Sequence, residues 1–364
     1  MMKLQGSTTA FDEKRAERFA EGMAATLNSG ALAVMISVGH RTGLFDTLAE
    51  HPGSPSAALA RAAGLEERYV REWLGAMVAG RIVEFDAERR TYTLPAEHAA
   101  FLTRAAAPNN LAVYAQYIPV VASVEDDVLA CFRAGGGVPY ERYARFHEVM
   151  SEDSEQTILT VLFSDVLPLA EGLAARLEAG AALADLGCGR GRALLRMAER
   201  FPRSRFVGYD LSSAAVAWAR GQAERLGLGN ARFLQRDLRD FDRSAEPGAF
   251  DAVTTFDAVH DQPAPLALLC GIRRTLRDDG VYLMQDIQAS SDVAENRDHP
   301  FGPFLYTVST MHCLAVSLAQ GGDGLGTMWG TDTARAMLAE AGFGSVEVHQ
   351  LPHDPMNAYL VARP

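Results

Sequence analysis

The chain has 364 residues, 48% hydrophobic and 22% charged, with 32 Gly and 16 Pro, a balance that excludes collagen-like, low-complexity and largely disordered chains and favours two domains over one. Asp and Glu outnumber Lys and Arg by 46 to 34, a formal charge of -12, so the surface as a whole repels phosphate backbones and nucleic acid is not an expected partner. Cys131, Cys188, Cys270 and Cys313 form no C-x-x-C pair and suggest neither a zinc set nor a disulfide framework, which suits a reduced cytoplasm; no metal is expected.

Residues 1–22 contain no apolar segment of the kind that heads a secretory leader. No apolar run approaches the ~20 residues needed to span a bilayer, so a cytoplasmic chain without a membrane partner is expected. Helices are expected over roughly 12–28 and from about Ala31 to Glu50. Ser54 and Ser56 are both placed to cap a third helix, SAALARAAG, which stops at Gly64, and LEERYVREWLGAMVAG supplies a fourth. RIVEFDAERRTYTL then alternates apolar and polar residues about a polar turn, a hairpin signal. Helix, short helix, turn, helix and hairpin over residues 1–105 is the order of a winged helix.

Residues 106–178 read as helical, with few strand signals. From residue 179 strand and helix alternate. ALADL, RFVGYD, ARFLQRD, FDAVTTFD and GVYLMQDI are strands; RALLRMAERF, SAAVAWARGQAERLG, PLALLCGIRRTL and TDTARAMLAEAGF are helices. SVEVHQL and NAYLVARP close the chain without a helix between them. The pattern predicts an α/β fold with a mostly parallel sheet and one antiparallel strand from the final hairpin.

The segment Asp185-Leu-Gly187-Cys188-Gly189-Arg-Gly191 joins the first of these strands to a helix. Glycines there allow a tight turn and let a ligand approach backbone N–H groups at a helix N-terminus. Asp210 ends the next strand, where a carboxylate can take both hydroxyls of a ribose, and Asp237 and Asp257 close the third and fourth strands, at the crevice where open sheets bind ligands. The spacing G-x-G-x-G departs from the dinucleotide pattern, and Asp185 beside it suits a ligand that carries a cation rather than a pyrophosphate.

Together these residues resemble the class I S-adenosylmethionine (SAM) methyltransferases, over about residues 180–364. The resemblance implies a Rossmann-like seven-stranded sheet and SAM as cofactor. Asp185, Gly187, Cys188, Gly189 and Gly191 would lie at the methionine part, Asp210 with Leu211 at the ribose, and Asp237 with Leu238 at the adenine edge. Phe256 and Asp257 would lie near the sulfonium. The chain is further similar to small-molecule O-methyltransferases of plants and bacterial polyketide pathways, which carry a His-Asp pair after the fourth strand and dimerise through an N-terminal winged-helix domain. By that match His260 is the base and Asp286, six residues after Gly280, its helper carboxylate. Two departures are visible: Gln262 and Pro263 follow His260-Asp261 where those enzymes commonly have Trp, and residues 290–330 offer no match to their second helper carboxylate. A helix-capping role for His260 and Asp261 is the alternative.

A further helix is expected from about Pro303 to Gln320, in an insertion of the kind that covers a methyl-acceptor pocket. Tyr306, His312 and Trp329 there, His260, and Tyr114 and Tyr117 on the opposite wall are the candidate acceptor-binding residues. The expected domains are thus 1–105 (winged-helix dimerisation), 106–178 (helical connector and pocket wall) and 179–364 (methyltransferase). The rival reading, a SAM-binding or DNA-binding regulator, meets a weak charge: residues 1–105 hold 12 Lys and Arg against 13 Asp and Glu, with no basic stripe. Tyr69, Trp73 and Met77, spaced by four, read instead as an apolar stripe facing protein. The expectation is a homodimer acting on a small molecule.

Overall fold

The computed structural model describes residues 11–364; residues 1–10, on which part of the leader reading rests, lie outside the described residues. Contacts divide the chain into two compact units, one running to Ala106 and including Asn110–Gln116, the other made of Ala107–Asn109 and Tyr117–Pro364.

The first unit opens with α1 (Glu13–Thr42), capped by the Asp12 side chain, which accepts the Arg15 N–H at 3.0 Å. It ends at Gly43, whose φ of 74° is the left-handed stop that glycine supplies, and α2 (Leu44–Glu50) follows at once. The expected break near residue 29 is therefore absent and the real break lies at Gly43. By length and composition α1 is also apolar enough to cross a membrane, with 11% of its apolar stretch buried, which corrects the expectation that no such run exists. Small residues such as Gly22, Thr26, Ser29 and Gly30 break up the run to the eye but hardly lower its mean hydropathy.

Next come α3 (Ser56–Ala63) and α4 (Glu67–Ala79). Neither serine caps α3: Pro55 holds the cap position, and the Ser56 hydroxyl instead donates to Glu67 at 2.6 Å. Strands β1 (Glu84–Asp86) and β2 (Thr91–Thr93) pair antiparallel as the wing. The inner face of α4 is Val70, Trp73, Leu74 and Met77, the three-and-four spacing of a helix on a core. Trp73 packs edge-on against Phe45, and its indole N–H donates to the Met35 carbonyl at 2.8 Å. Tyr69 is 81% exposed. The expected outward stripe is thus split, because two of its three members belong to the domain's own core. Arg68 pairs with Glu72 and Arg71 with Glu67 along the outer face.

The second unit is built on seven strands: β3 (Ala182–Leu186), β4 (Arg205–Asp210), β5 (Ala231–Gln235), β6 (Phe250–Phe256), β7 (Leu276–Ile287), β8 (Ser345–Leu351) and β9 (Asp354–Arg363). Their order is β5-β4-β3-β6-β7-β9-β8, all parallel except β9, which runs antiparallel to β7 and β8. This is the expected mostly parallel, Rossmann-like sheet with its closing hairpin. Strand order reverses at β3, between β4 and β6, and opens a crevice at the carboxyl ends there. Apolar cores fill both faces, one around Leu183, Leu194 and Phe206, the other around Leu186, Leu269 and Tyr282. Residues 302–319 form one helical run, Gly302–Val308 and Leu314–Ala319 flanking a π turn at Ser309–Cys313.

Candidate active site

At the crevice the chain leaves β3 through Gly187, Gly189 and Gly191, with φ of 75°, 52° and 64°, and enters the helix Arg192–Arg200. A Cβ on Gly191 would stand 2.1 Å from the Phe233 ring, and one on Gly187 would stand 2.6 Å from Ala258. Both positions therefore require glycine for space as well as for φ. The Asp210 carboxylate holds the turn, accepting the Gly189 N–H at 2.7 Å and the Ser212 N–H at 2.8 Å. Beneath it Asp185 is buried, accepts the Thr254 hydroxyl at 2.9 Å, and is pushed up to about 7 by that burial.

A cavity of about 690 Å³ opens over this turn. All eleven residues expected at a cofactor line it: Asp185, Gly187, Cys188, Gly189, Gly191, Asp210, Leu211, Asp237, Leu238, Phe256 and Asp257. Burial beside Asp185 and Asp210 holds the Cys188 thiol protonated, well above its usual range, so it is no nucleophile. The remaining wall comes largely from residues the sequence reading passed over, Tyr140, Tyr143, Phe146, His147, Met150 and Gln320, together with Asp261. Their spacing in YERYARFHEVM, close to every third or fourth residue, was the available signal for a face turned towards a ligand.

His260 is buried and does not line the cavity, whereas its neighbours Asp257 and Asp261 do. Its Nδ1 lies 2.7 Å from Asp286 Oδ1 and 3.8 Å from Asp257 Oδ1. Asp286 Oδ1 also accepts the Trp329 indole N–H at 3.0 Å and the Ile287 N–H at 2.8 Å. Burial alone would lower His260, but the Asp286 carboxylate, aided by Cys313, outweighs it and raises the imidazole well above its ordinary value. Burial pushes Asp257 up to about 7 and Asp261 up to about 6. Asp257 also sits at a φ of 55°, a left-handed conformation uncommon outside glycine. Asp257, His260 and Asp286 each bring one possible metal-ligand atom within 4.8 Å of the others. The 2.7 Å hydrogen bond joins two of these three groups directly.

Apart from the cavity, the expected acceptor-binding residues sit as follows. Tyr114 belongs to the first unit. Tyr117 is buried and donates to Asp153 at 2.6 Å, Tyr306 faces outward at 37% exposure and accepts from Asn296 at 3.1 Å, and Trp329 is turned to Asp286. His312 stacks on Phe146 with ring centroids 3.4 Å apart, and burial holds it well below the ordinary histidine range. None of these five, nor His260, is among the residues that border the cavity. Each satisfies its polar atoms, or packs its ring, within the protein instead.

Residues 30–104 match the Rv2258c-like winged HTH domain and residues 177–342 match the methyltransferase domain. The chain thus carries a segment that matches the methyltransferase domain family behind one that matches a winged-helix domain. Similar curated proteins include the trans-aconitate 2-methyltransferase of Deinococcus radiodurans, 34% identical over 117 residues, covering 32% of this chain and 42% of that one. The malonyl-[acyl-carrier protein] O-methyltransferase of Geobacter sulfurreducens is 29% identical over 58% of this chain and 68% of its own. The chain thus spans about two fifths of the first of these relatives. Among solved structures, human N-acetylserotonin methyltransferase in complex with SAM has a TM-score of 0.67 at 17% identity, covering 98% of this chain and 99% of that one. An O-methyltransferase family protein from Burkholderia thailandensis has a TM-score of 0.66 at 18% identity, covering 94% and 97%. At these identities the likeness is one of fold.

Proposed function

We propose that the protein transfers a methyl group from SAM to an O, N or S atom of a small molecule, with His260 as general base and Asp286 as its helper. The observation that carries this reading is the convergence of all eleven expected cofactor residues on one cavity. The donor set fits the cofactor. Asp185 and Asp257 are buried carboxylates that a cation would relieve, Asp210 offers carboxylate oxygens to a ribose, and the glycine turn, its own N–H groups bonded to Tyr209, Asp210 and Cys188, lets a ligand come close with no Cβ in the way. When bound, SAM supplies an electrophilic methyl group on a sulfonium.

The chain's own task is to align an acceptor with that methyl and to take its proton. Alignment alone is worth up to about 7–11 kcal/mol of barrier. Bonding Nδ1 of His260 to Asp286 leaves Nε2 as the nitrogen that can accept a proton once the raised imidazolium has lost its own. His260 is buried behind the lining to which its neighbours Asp257 and Asp261 belong, so the acceptor must come past that lining to meet the base; catalytic contacts of this kind commonly tighten on substrate binding. The names of the curated relatives include both O- and N-methyltransferases, which supports leaving the accepting atom open. The test is calorimetric titration with SAM followed by a methyl-transfer assay on the wild type and Asp210→Asn; no measurable SAM binding by the wild type would end the reading.

The same reading includes a homodimer formed through residues 1–105. It is supported by Phe19, Met23 and Leu27, spaced by four on one face of α1 and 70%, 43% and 71% exposed, an apolar stripe that lacks a cover.

A further inference from the structure

Resting on the reading of the cavity as a methyltransferase site, we infer that the acceptor is a small aromatic molecule carrying a positive charge, such as a protonated amine, and that Asp261 holds that charge.

The argument begins with which charges border the cavity. No lysine occurs beyond Lys14, so every fixed cation at the site is an arginine, and the three that border it are Arg190, Arg192 and Arg236. Each is already engaged. Arg192 donates to the Ser151 carbonyl at 2.9 Å and pairs with Glu155. Arg190 lies over the Trp218 ring at 5.3 Å, and Arg236 lies over Tyr209 and Phe241 and donates to the Ser244 carbonyl at 3.0 Å. His147, the one histidine on the wall, is lowered by burial and stays uncharged at neutral pH.

Beyond the cofactor turn the wall therefore offers carboxylates without a matching cation. Asp257 and Asp261 border the cavity, and Asp286 stands behind them. The single imidazolium of His260 faces all three, which leaves the floor net negative. Asp257 Oδ1 is buried with no hydrogen-bond partner, a costly state for an acceptor oxygen unless a ligand meets it. If Asp185 and Asp257 answer the two cations of SAM, Asp261 remains for the acceptor.

An independent observation comes from the aromatic residues that border the same cavity. Tyr140, Phe146 and His147 form a packed aromatic group, Tyr140 edge-on to Phe146 at 5.8 Å and tilted against His147 at 4.7 Å. Aromatic rings that border a cavity together with a carboxylate suit a cation borne on a flat apolar body, through ring attraction and charge pairing. An anionic acceptor gains nothing from this wall and is repelled by the floor.

The experiment uses the full chain saturated with S-adenosylhomocysteine at neutral pH, titrated with three molecules of one shape: phenethylamine, phenethyl alcohol and hydrocinnamate. The amine is expected to bind about 10- to 100-fold more tightly than the acid, the alcohol falling between. Asp261→Asn should remove that preference while keeping the affinity for S-adenosylhomocysteine, which also reports that the variant is folded. Equal or tighter binding of hydrocinnamate would overturn the inference and leave the methyltransferase reading standing. An amine preference that survives Asp261→Asn would overturn the role of Asp261. Failure of S-adenosylhomocysteine to bind the wild type would remove the underlying reading and the inference with it.

Discussion

Trp329 donates its indole N–H to Asp286 Oδ1 at 3.0 Å, the same oxygen that meets His260 Nδ1 at 2.7 Å. An aromatic donor from the loop before the last helix thus fixes the carboxylate that fixes the base. It does so in a region with no match to the second helper carboxylate of the enzymes the chain resembles. Gly330 makes the placement possible: its φ is 83°, and a Cβ there would lie 2.6 Å from the Ser291 backbone nitrogen.

Trp329→Phe should keep the ring's packing and lose the donor. A hydrogen bond to a charged group is worth about 1.5–3 kcal/mol, so chemical denaturation should show a loss of that order. With one donor fewer, Asp286 bonds His260 more strongly, and the imidazole should move further up. The rate against pH should then rise at a higher pH than in the wild type while SAM affinity stays the same. A stability loss with an unmoved pH profile would reduce Trp329 to packing.

The strands of the second unit were readable almost residue by residue. Ala182–Leu186 and Arg205–Asp210 are short apolar runs ended by a glycine turn or an acid, and a buried parallel strand needs little more. The eleven residues expected at a cofactor, named from strand ends and from the family resemblance, all border one cavity. What sequence could not show was orientation across distance. His260 and Trp329 were expected to face an acceptor, but a hydrogen bond between residues 43 apart in the chain turns Trp329 away, and no local pattern records it. The π turn at Ser309–Cys313 has no residue signature either, and it sets His312 against Phe146 rather than in the cavity. Asn28-Ser29-Gly30 reads as a turn in isolation, and α1 passes straight through it.

Asp185 and Asp257, both held near 7, should register cofactor binding as proton release. A cation placed beside a raised carboxylate favours its ionised form and lowers its pKa. Titrations with SAM near pH 7 in buffers of different ionisation enthalpy should therefore show protons leaving the protein, and Asp185→Asn should reduce their number. Without ligand the sign is also fixed. The unfolded chain releases these protons near the ordinary carboxylate value of about 3.9, whereas folded Asp185 and Asp257 keep them to about 7 and Asp153 to about 8. Their contribution to stability is complete below about pH 4 and is lost as pH rises through those folded values. Stabilisation by SAM should accordingly be larger at pH 8 than at pH 6.

His260→Gln should leave SAM affinity nearly unchanged and lower the transfer rate by about 10²–10⁴-fold. The loss should shrink for acceptors whose proton already leaves at low pH. Because Asp286 raises His260 well above the usual 6.5, the wild-type rate should climb with pH through a midpoint above that value, rather than level off near it. Full activity of the variant at neutral pH would leave alignment as the whole of catalysis and His260 as a structural partner of Asp286.

The face of α1 that carries Phe19, Met23 and Leu27 should be covered by the same face of a second copy. Only Ser37, Gly39 and His40 of this helix are buried, all near its C-terminal end, so the long N-terminal part has apolar surface and no core of its own. Isologous packing of two such stripes is the simplest way to remove it from water, at about 25 cal/mol for each Å² covered. Light scattering of the full chain at micromolar concentration should give a dimer, and Phe19→Asp combined with Leu27→Asp should give a monomer that keeps its affinity for SAM, because the cofactor residues all lie in the other unit. A wild-type monomer would sink the dimer. So would a wild type that is recovered only with detergent or lipid vesicles and releases from them in the double variant, since a bilayer would then be what covers α1.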